Sequence, residues 1–208
     1  VKNGATNLKI YDGDKLEDAN ICRWAYGGIG RGNNKASALA TLLNFSHPEI
    51  SVVAIDKNID EKTLIKEMSQ VDMIVSTVGN SDIQLEFNRA LKDNGCAVPV
   101  IFAWLEAGGA YSHILVVNYK KKGCFECLYT AENGELTNNR SQKNNETNME
   151  SSIVRNGCGG TRAAYGTATI LRTTAALMET IGKIQEGELK ESVLLDISSN
   201  GVKVSEAK

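Results

Sequence analysis

Several features that would settle a protein's class are missing from this sequence. No uninterrupted apolar run approaches the roughly 20 residues that a membrane-spanning helix needs. Neither charge is in large excess. With 23 Lys and Arg against 25 Asp and Glu, the formal net charge is −2, which gives no broad pull toward nucleic acid or an anionic surface. The first residues, Val1-Lys-Asn-Gly-Ala-Thr-Asn7, are polar and do not form the apolar stretch of a secretory signal. Cysteine is sparse and odd in number: five, without framework spacing, which argues against a disulfide scaffold and fits a reducing, cytoplasmic setting. We see no internal repeat and no coiled-coil heptads. A doubly wound nucleotide fold opens with a strand, a glycine-rich turn and a helix, yet no Gly-x-Gly-x-x-Gly precedes the first strand here. The chain is therefore expected to be truncated at its N-terminus, its phosphate loop lost or supplied elsewhere.

What remains is a 208-residue chain, 42 % hydrophobic and 23 % charged, enough for one α/β core. Its most informative stretch begins at a short apolar run, Leu8 to Tyr11, which drives into two acids, Asp12 and Asp14. Asn20 and Arg23 follow, then a glycine-rich turn from Gly27 to Gly32, then Lys35 at the head of a helix-like segment. Acids at the carboxyl end of a strand sit where open α/β sheets bind ribose hydroxyls. Asparagine, arginine and lysine just beyond them are suited to phosphate oxygens, arginine through two parallel bonds and lysine as a compact charge. The order reads as a nucleotide site.

That series, Asp12-Gly-Asp14, Asn20-Ile-Cys-Arg23 and Gly32-Asn-Asn-Lys35, resembles the ThiF/MoeB family of adenylating enzymes, which includes the ubiquitin-activating enzymes. The resemblance continues through most of the chain. It implies a Rossmann-like fold, ATP with Mg2+, adenylation of a protein's C-terminal carboxylate, and in many members capture on a cysteine. It also implies a homodimer. Many members carry a magnesium-holding acid where Gly79 stands here, so no metal ligand is assigned, while Asn80 is a candidate nucleotide contact and Asp82 a helix cap. Trp104-Leu-Glu106-Ala-Gly108 followed by Ser112-His113 resembles a bacterial branch associated with ubiquitin-conjugating-like domains. For His113 itself we expect a hydrogen-bonded core histidine.

Along the chain, alternating strands and helices predict a mainly parallel sheet with helices on both faces. Strands are expected at Leu8 to Tyr11, Ile50 to Ile55, Asp72 to Val78, Val98 to Trp104 and Ser112 to Tyr119, with a terminal hairpin around Asn200-Gly201. Helices are expected at Lys35 to Asn44, Asp60 to Ser69, Asp82 to about Asn94, and Thr161 to Gln185. Between the last two helices, Thr130 to Asn156 is rich in Asn, Ser, Glu and Lys and lacks apolar anchors. We read residues 1–208 as a single truncated domain with a mobile crossover loop at about 130–157.

Cysteines divide by setting. Cys158, in Gly157-Cys158-Gly159-Gly160, ends the polar loop before the predicted last helix, whose dipole would favour a thiolate. It is the expected nucleophile. Cys124 and Cys127 form a lone Cys-x-x-Cys, which in several relatives is half of a zinc site. Only Cys158 and no histidine lies beyond it, so structural zinc is not expected and a buried, reduced pair is. Cys22 and Cys96 read as packed thiols.

The expected function is ATP-dependent adenylation of a protein tail by Asp12, Asp14, Asn20, Arg23, Lys35 and Asn80, then thioester formation on Cys158 and transfer to a conjugating-enzyme-like partner. Neither nucleic acid nor membrane is an expected partner. The alternatives are a sulfur-carrier adenylyltransferase of MoeB/ThiF type and an inactive dimeric scaffold that binds a protein tail. The absent phosphate loop and Gly79 favour the scaffold, and the missing second half of the zinc site weighs against the sulfur-carrier type.

Overall fold

The structure is a computed structural model that describes residues 4–21, 24, 26–131, 133–143, 153–155, 161–163 and 167–206. The chain divides into two compact units, Val1–Asp60 and Glu61–Lys208.

The first unit is a βαβ arrangement. Strand β1 (Asn7–Tyr11) lies parallel to β2 (Ser51–Ile55), in register from Asn7 opposite Ser51 to Tyr11 opposite Ile55. Parallel neighbours need a crossover, and it runs through a short helix α1 (Asp18–Ile21) and α2 (Lys35–Ser46). Helix α2 buries small side chains, Ala36, Ala38 and Ala40, which lets it lie close to its neighbours. Its Asn44 side chain donates to the Val52 carbonyl at 2.8 Å and accepts from the Val52 N–H at 2.9 Å, satisfying backbone groups of β2.

The second unit holds α3 (Glu61–Glu67), β3 (Ile74–Ser76), α4 (Ser81–Asp93), β4 (Val100–Leu105) and β5 (Ser112–Val117). A 3-10 turn, Phe125–Tyr129, follows, then a small hairpin of β6 (Ile153–Arg155) and β7 (Thr161–Ala163), helix α5 (Thr167–Gln185), β8 (Val193–Ser198) and β9 (Gly201–Glu206). The main sheet runs β3-β4-β5-β8-β9. One face buries Ile101, Ala103, Ile114, Val116, Val193, Leu195 and Ile197 with Ala176 of α5, and Leu177, Ile181 and Ile184 pack against them. On the other face Phe125 lies 5.0 Å from Phe102 and 5.5 Å from Trp104, centroid to centroid.

The α/β class is the one expected, with parallel pairing at β1–β2 and β3–β4. Beyond β4 the sheet is antiparallel: β4–β5, β5–β8 and β8–β9 all pair that way. The physical reason at β4–β5 is the connection from Glu106 to Tyr111, far too short for a parallel crossover, which takes about a dozen residues or more. The last helix also departs from expectation. It begins at Thr167, because Thr161–Ala163 pairs as a strand with Ile153–Arg155.

Candidate functional site

At the carboxyl end of β1 the chain folds back on itself around Asp12 and Asp14. The Asp12 Oδ1 accepts from the Asp14 N–H at 2.8 Å, a local turn that Asp favours. Gly13 between them is needed for a close approach. Its N–H donates to Asn58 Oδ1 at 3.1 Å, and a Cβ there would stand 3.0 Å from that same oxygen. From the far side Asn34 reaches in. Its Nδ2 donates to the Asp12 carbonyl at 2.5 Å and to the Asp14 carbonyl at 3.2 Å. The Asn34 Oδ1 meanwhile caps α2 through the Ser37 N–H at 2.9 Å. Lys35, the next residue, donates from its backbone to the Asp14 carbonyl at 2.8 Å and places Nζ 2.7 Å from Asp14 Oδ2.

Asp12, Asp14 and Lys35 are thus brought together, two carboxylates and an ammonium on one rim, with the Asp14 side chain 69 % exposed. Exposed carboxylate oxygens accept from hydroxyls, and an ammonium held at this rim can trade its carboxylate partner for a phosphate oxygen. Asn20 faces its own turn, accepting from the Glu17 N–H at 3.2 Å. Arg23, Cys22 and Cys158 lie outside the described residues. Sequence reasoning missed Asn34 and Asn58, whose amides hold the Asp12–Asp14 turn in shape. The signal for Asn34 was present, since an Asn directly ahead of a helix is a strong cap.

In the second unit Asn80 is the N-cap of α4, accepting from the N–H groups of Asp82 and Ile83 at 3.0 and 3.1 Å. The expected cap, Asp82, instead sits in the first turn. Just before it, Gly79 has φ +69°, a left-handed conformation that an acid would occupy only with strain.

His113 is fully buried, as expected of a core histidine. Its Nε2 lies 2.6 Å from Glu106 Oε1 and its Nδ1 lies 2.9 Å from Asp196 Oδ1. The ring stacks on Trp104 with centroids 5.0 Å apart. Lys143 closes the circuit: its backbone N–H donates to Glu106 Oε1 at 2.8 Å and its Nζ lies 3.1 Å from Asp196 Oδ2. Asp196 and Lys143 were not foreseen as members.

The Cys124 and Cys127 sulfurs lie 3.2 Å apart. Cys124 is buried as expected, but Cys127 is exposed, because the 3-10 turn carries it to the surface. Although the residue is exposed, partial desolvation of its sulfur, then the hydrogen bond with Cys124, pushes the Cys127 thiol up, which works against the thiolate a metal requires. No group of three or more His, Cys, Asp or Glu side chains with metal-site geometry occurs among the described residues. Cys96 is buried and directs its thiol to the Val98 carbonyl at 3.6 Å, as a packed thiol would. Cys158 is expected at the start of the last helix; α5 begins at Thr167, and Cys158 lies outside the described residues.

Comparison with known proteins bears on the whole arrangement. Ubiquitin-like modifier-activating enzyme 5 of Aedes aegypti is 28 % identical over 149 residues, 62 % of this chain and 36 % of that protein. The crystal structure of E. coli MccB with ATP superposes with a TM-score of 0.67 at 18 % identity, covering 97 % of this chain and 56 % of that one. MccB with AMPCPP and MccA gives 0.66, also at 18 % identity and covering 97 % and 56 %. The chain thus spans about a third of the length of the curated relative and little over half of the solved ones. The ThiF family model matches residues 1–204, across both units, and the chain belongs to the ThiF family.

Proposed function

We propose that this protein adenylates the C-terminal carboxylate of a protein or peptide tail with ATP and then captures the acyl group on Cys158. The observation that carries the reading is the rim of Asp12, Asp14 and Lys35 at the end of β1, in a chain whose family match runs from residue 1 to 204. The residues fit ATP: Asp12 and Asp14 would accept from the ribose hydroxyls, and Lys35 would leave Asp14 for phosphate oxygens, joined by Arg23 and Asn20. Asn80 is a further proposed nucleotide contact. In the reaction a tail carboxylate oxygen bonds to the α-phosphorus and pyrophosphate leaves. The Cys158 thiolate then attacks the acyl carbon and AMP departs. Mg2+ would accompany the nucleotide, with no ligand assigned in this chain. That MccB has been solved with ATP and with MccA supports a tail-activating role. Residues 1–208 forming one nucleotide domain, a homodimer, a conjugating-enzyme-like acceptor and a cytoplasmic setting all belong to the same proposal.

A second reading, a tail-binding scaffold without catalysis, is favoured by Gly79, whose left-handed backbone an acid would adopt only with strain, at the position where the family resemblance implies a magnesium-holding acid. Substrate-dependent exchange of labelled pyrophosphate into ATP, run on the natural polypeptide with its tail substrate, separates the two. Lys35→Ala should depress exchange by the equivalent of about 2–4 kcal/mol, the scale of one preorganised donor to developing charge. Undiminished exchange in Lys35→Ala would overturn the assigned site, and no exchange in the wild type would favour the scaffold.

A further inference from the structure

The strand register of the main sheet sets four side chains in one row. Trp104 of β4 is opposite His113 of β5, His113 is opposite Asp196 of β8, and Asp196 is opposite Lys203 of β9. They share the face turned away from α5, since side chains alternate along each strand and the α5 face carries Ile114, Leu195 and their neighbours. At the β9 end of this row is a cavity of 260 Å³ lined by Tyr111, Lys143, Asp196, Ser198, Asn200 and Lys203 among others. Its volume is below the roughly 300–1,000 Å³ of drug-sized ligand sites, so its occupant is small.

Of the side chains that line the cavity, Lys143 and Lys203 carry two positive charges against one carboxylate, Asp196, which leaves the lining net positive. Asp196 Oδ1 lies 2.9 Å from His113 Nδ1, and His113 Nε2 lies 2.6 Å from Glu106 Oε1. Asp196 does not spoil this, because Oδ1 is held by His113 and Oδ2 by Lys143. Hydrogen-bonding capacity is left over as well. The side chains of Tyr111, Asn200 and Lys203 have no hydrogen-bond or ionic partner among the described residues. Ser198 accepts from the Asn200 N–H at 3.1 Å, which leaves its hydroxyl proton to donate.

We propose that this cavity is a binding site for a small oxyanion, a carboxylate or phosphate group, held by Lys203 and Lys143 with Ser198, Asn200 and Tyr111. Buried Glu106, His113 and Asp196 act as the positioning residues that fix the Lys143 ammonium at its wall. The site stands independently of the adenylation reading.

Backbone amide shifts of the whole 15N-labelled chain, titrated at constant ionic strength, test it with two probes, N-acetylglycine for a carboxylate and inorganic phosphate. Saturable shifts centred on Ser198 to Lys203 are expected with at least one probe, and which probe saturates identifies the group. Lys203→Gln, on an exposed edge strand and so expected to fold, should weaken binding about tenfold, the scale of one charge-assisted hydrogen bond. Lys120→Gln, a surface lysine outside the cavity, should leave it unchanged. Shifts that stay linear with both probes, scatter over surface lysines, or persist undiminished in Lys203→Gln would overturn the proposal. Neither ATP nor Cys158 enters this measurement, so its failure is distinct from that of the exchange assay.

Discussion

His113 has no polar atom to spare: Nε2 faces Glu106, Nδ1 faces Asp196, and the ring is fully buried. Removing it takes one partner from each of two carboxylates whose side chains are only 7 % and 11 % exposed, leaving Lys143 as a contact of both. Breaking a buried charged network by deleting one member is costly, so His113→Ala should lose on the order of 3–5 kcal/mol in urea unfolding. A variant with the wild-type midpoint would mean that water or another cation replaces the ring. Lys35 should behave in the opposite way. Its bond to Asp14 is a surface ion pair, of a kind worth about 0–1 kcal/mol. Lys35→Ala should therefore keep the wild-type unfolding midpoint while losing pyrophosphate exchange. A comparable loss of stability would demote Lys35 to a structural role. Cys127 gives a pH test. Because burial and Cys124 raise its pKa, its thiolate appears at higher pH than that of a free thiol. Its rate of alkylation by iodoacetamide should thus rise with pH along a curve displaced upward from that of a peptide cysteine, and a curve displaced downward would contradict the geometry at the pair.

Among the elements, helix α4 shows how one residue sets a boundary. Asn80 satisfies two N–H groups that the helix leaves unpaired, while Asp82 contributes only a charge near the positive end. Asn80→Ala should cost about 1 kcal/mol and Asp82→Ala less. Equal costs in thermal unfolding would show that the cap is not the operative interaction. Which elements were legible from sequence follows from how local their causes are. The strand before Asp12, the helix at Lys35 and the terminal hairpin rest on periodicity and turn residues a few positions apart, and they appear where expected. The Asp12–Asp14–Lys35 rim was legible for the same reason, its members joined by one tight turn and one helix start. The start of α5 was not, because Thr161–Ala163 is claimed by a strand partner that no local propensity reveals. Likewise His113 and Asp196 meet across 83 residues of chain. Only the register of β5 against β8 brings them opposite, and register is decided by the buried pattern of the whole sheet.

At the scale of the whole molecule the proposed function comprises two chemical steps that can be tested apart. Adenylation needs a nucleotide site and a tail carboxylate. Thioester formation needs, in addition, a thiol that reaches the acyl-adenylate. The family match covers Asp12, Lys35 and Cys158 alike, and the two steps call on different residues. Because adenylation comes first and releases pyrophosphate before any thiol reacts, Cys158→Ala in the natural polypeptide should keep substrate-dependent exchange at close to the wild-type rate. The thiol-sensitive adduct with the tail substrate, seen on a non-reducing gel, should vanish together with all onward transfer. Cys124→Ala serves as the control. Cys124 is buried, with its sulfur 3.2 Å from that of Cys127, and has no part in the proposed reaction, so a folded Cys124→Ala protein should retain both exchange and adduct. Each other outcome has a definite reading. An adduct that survives in Cys158→Ala places the nucleophile on another cysteine. Loss of exchange in a folded Cys158→Ala variant makes that residue part of the adenylation site. If the wild type exchanges pyrophosphate yet forms no adduct, the protein stops at the acyl-adenylate, and Cys158 is not an acyl carrier.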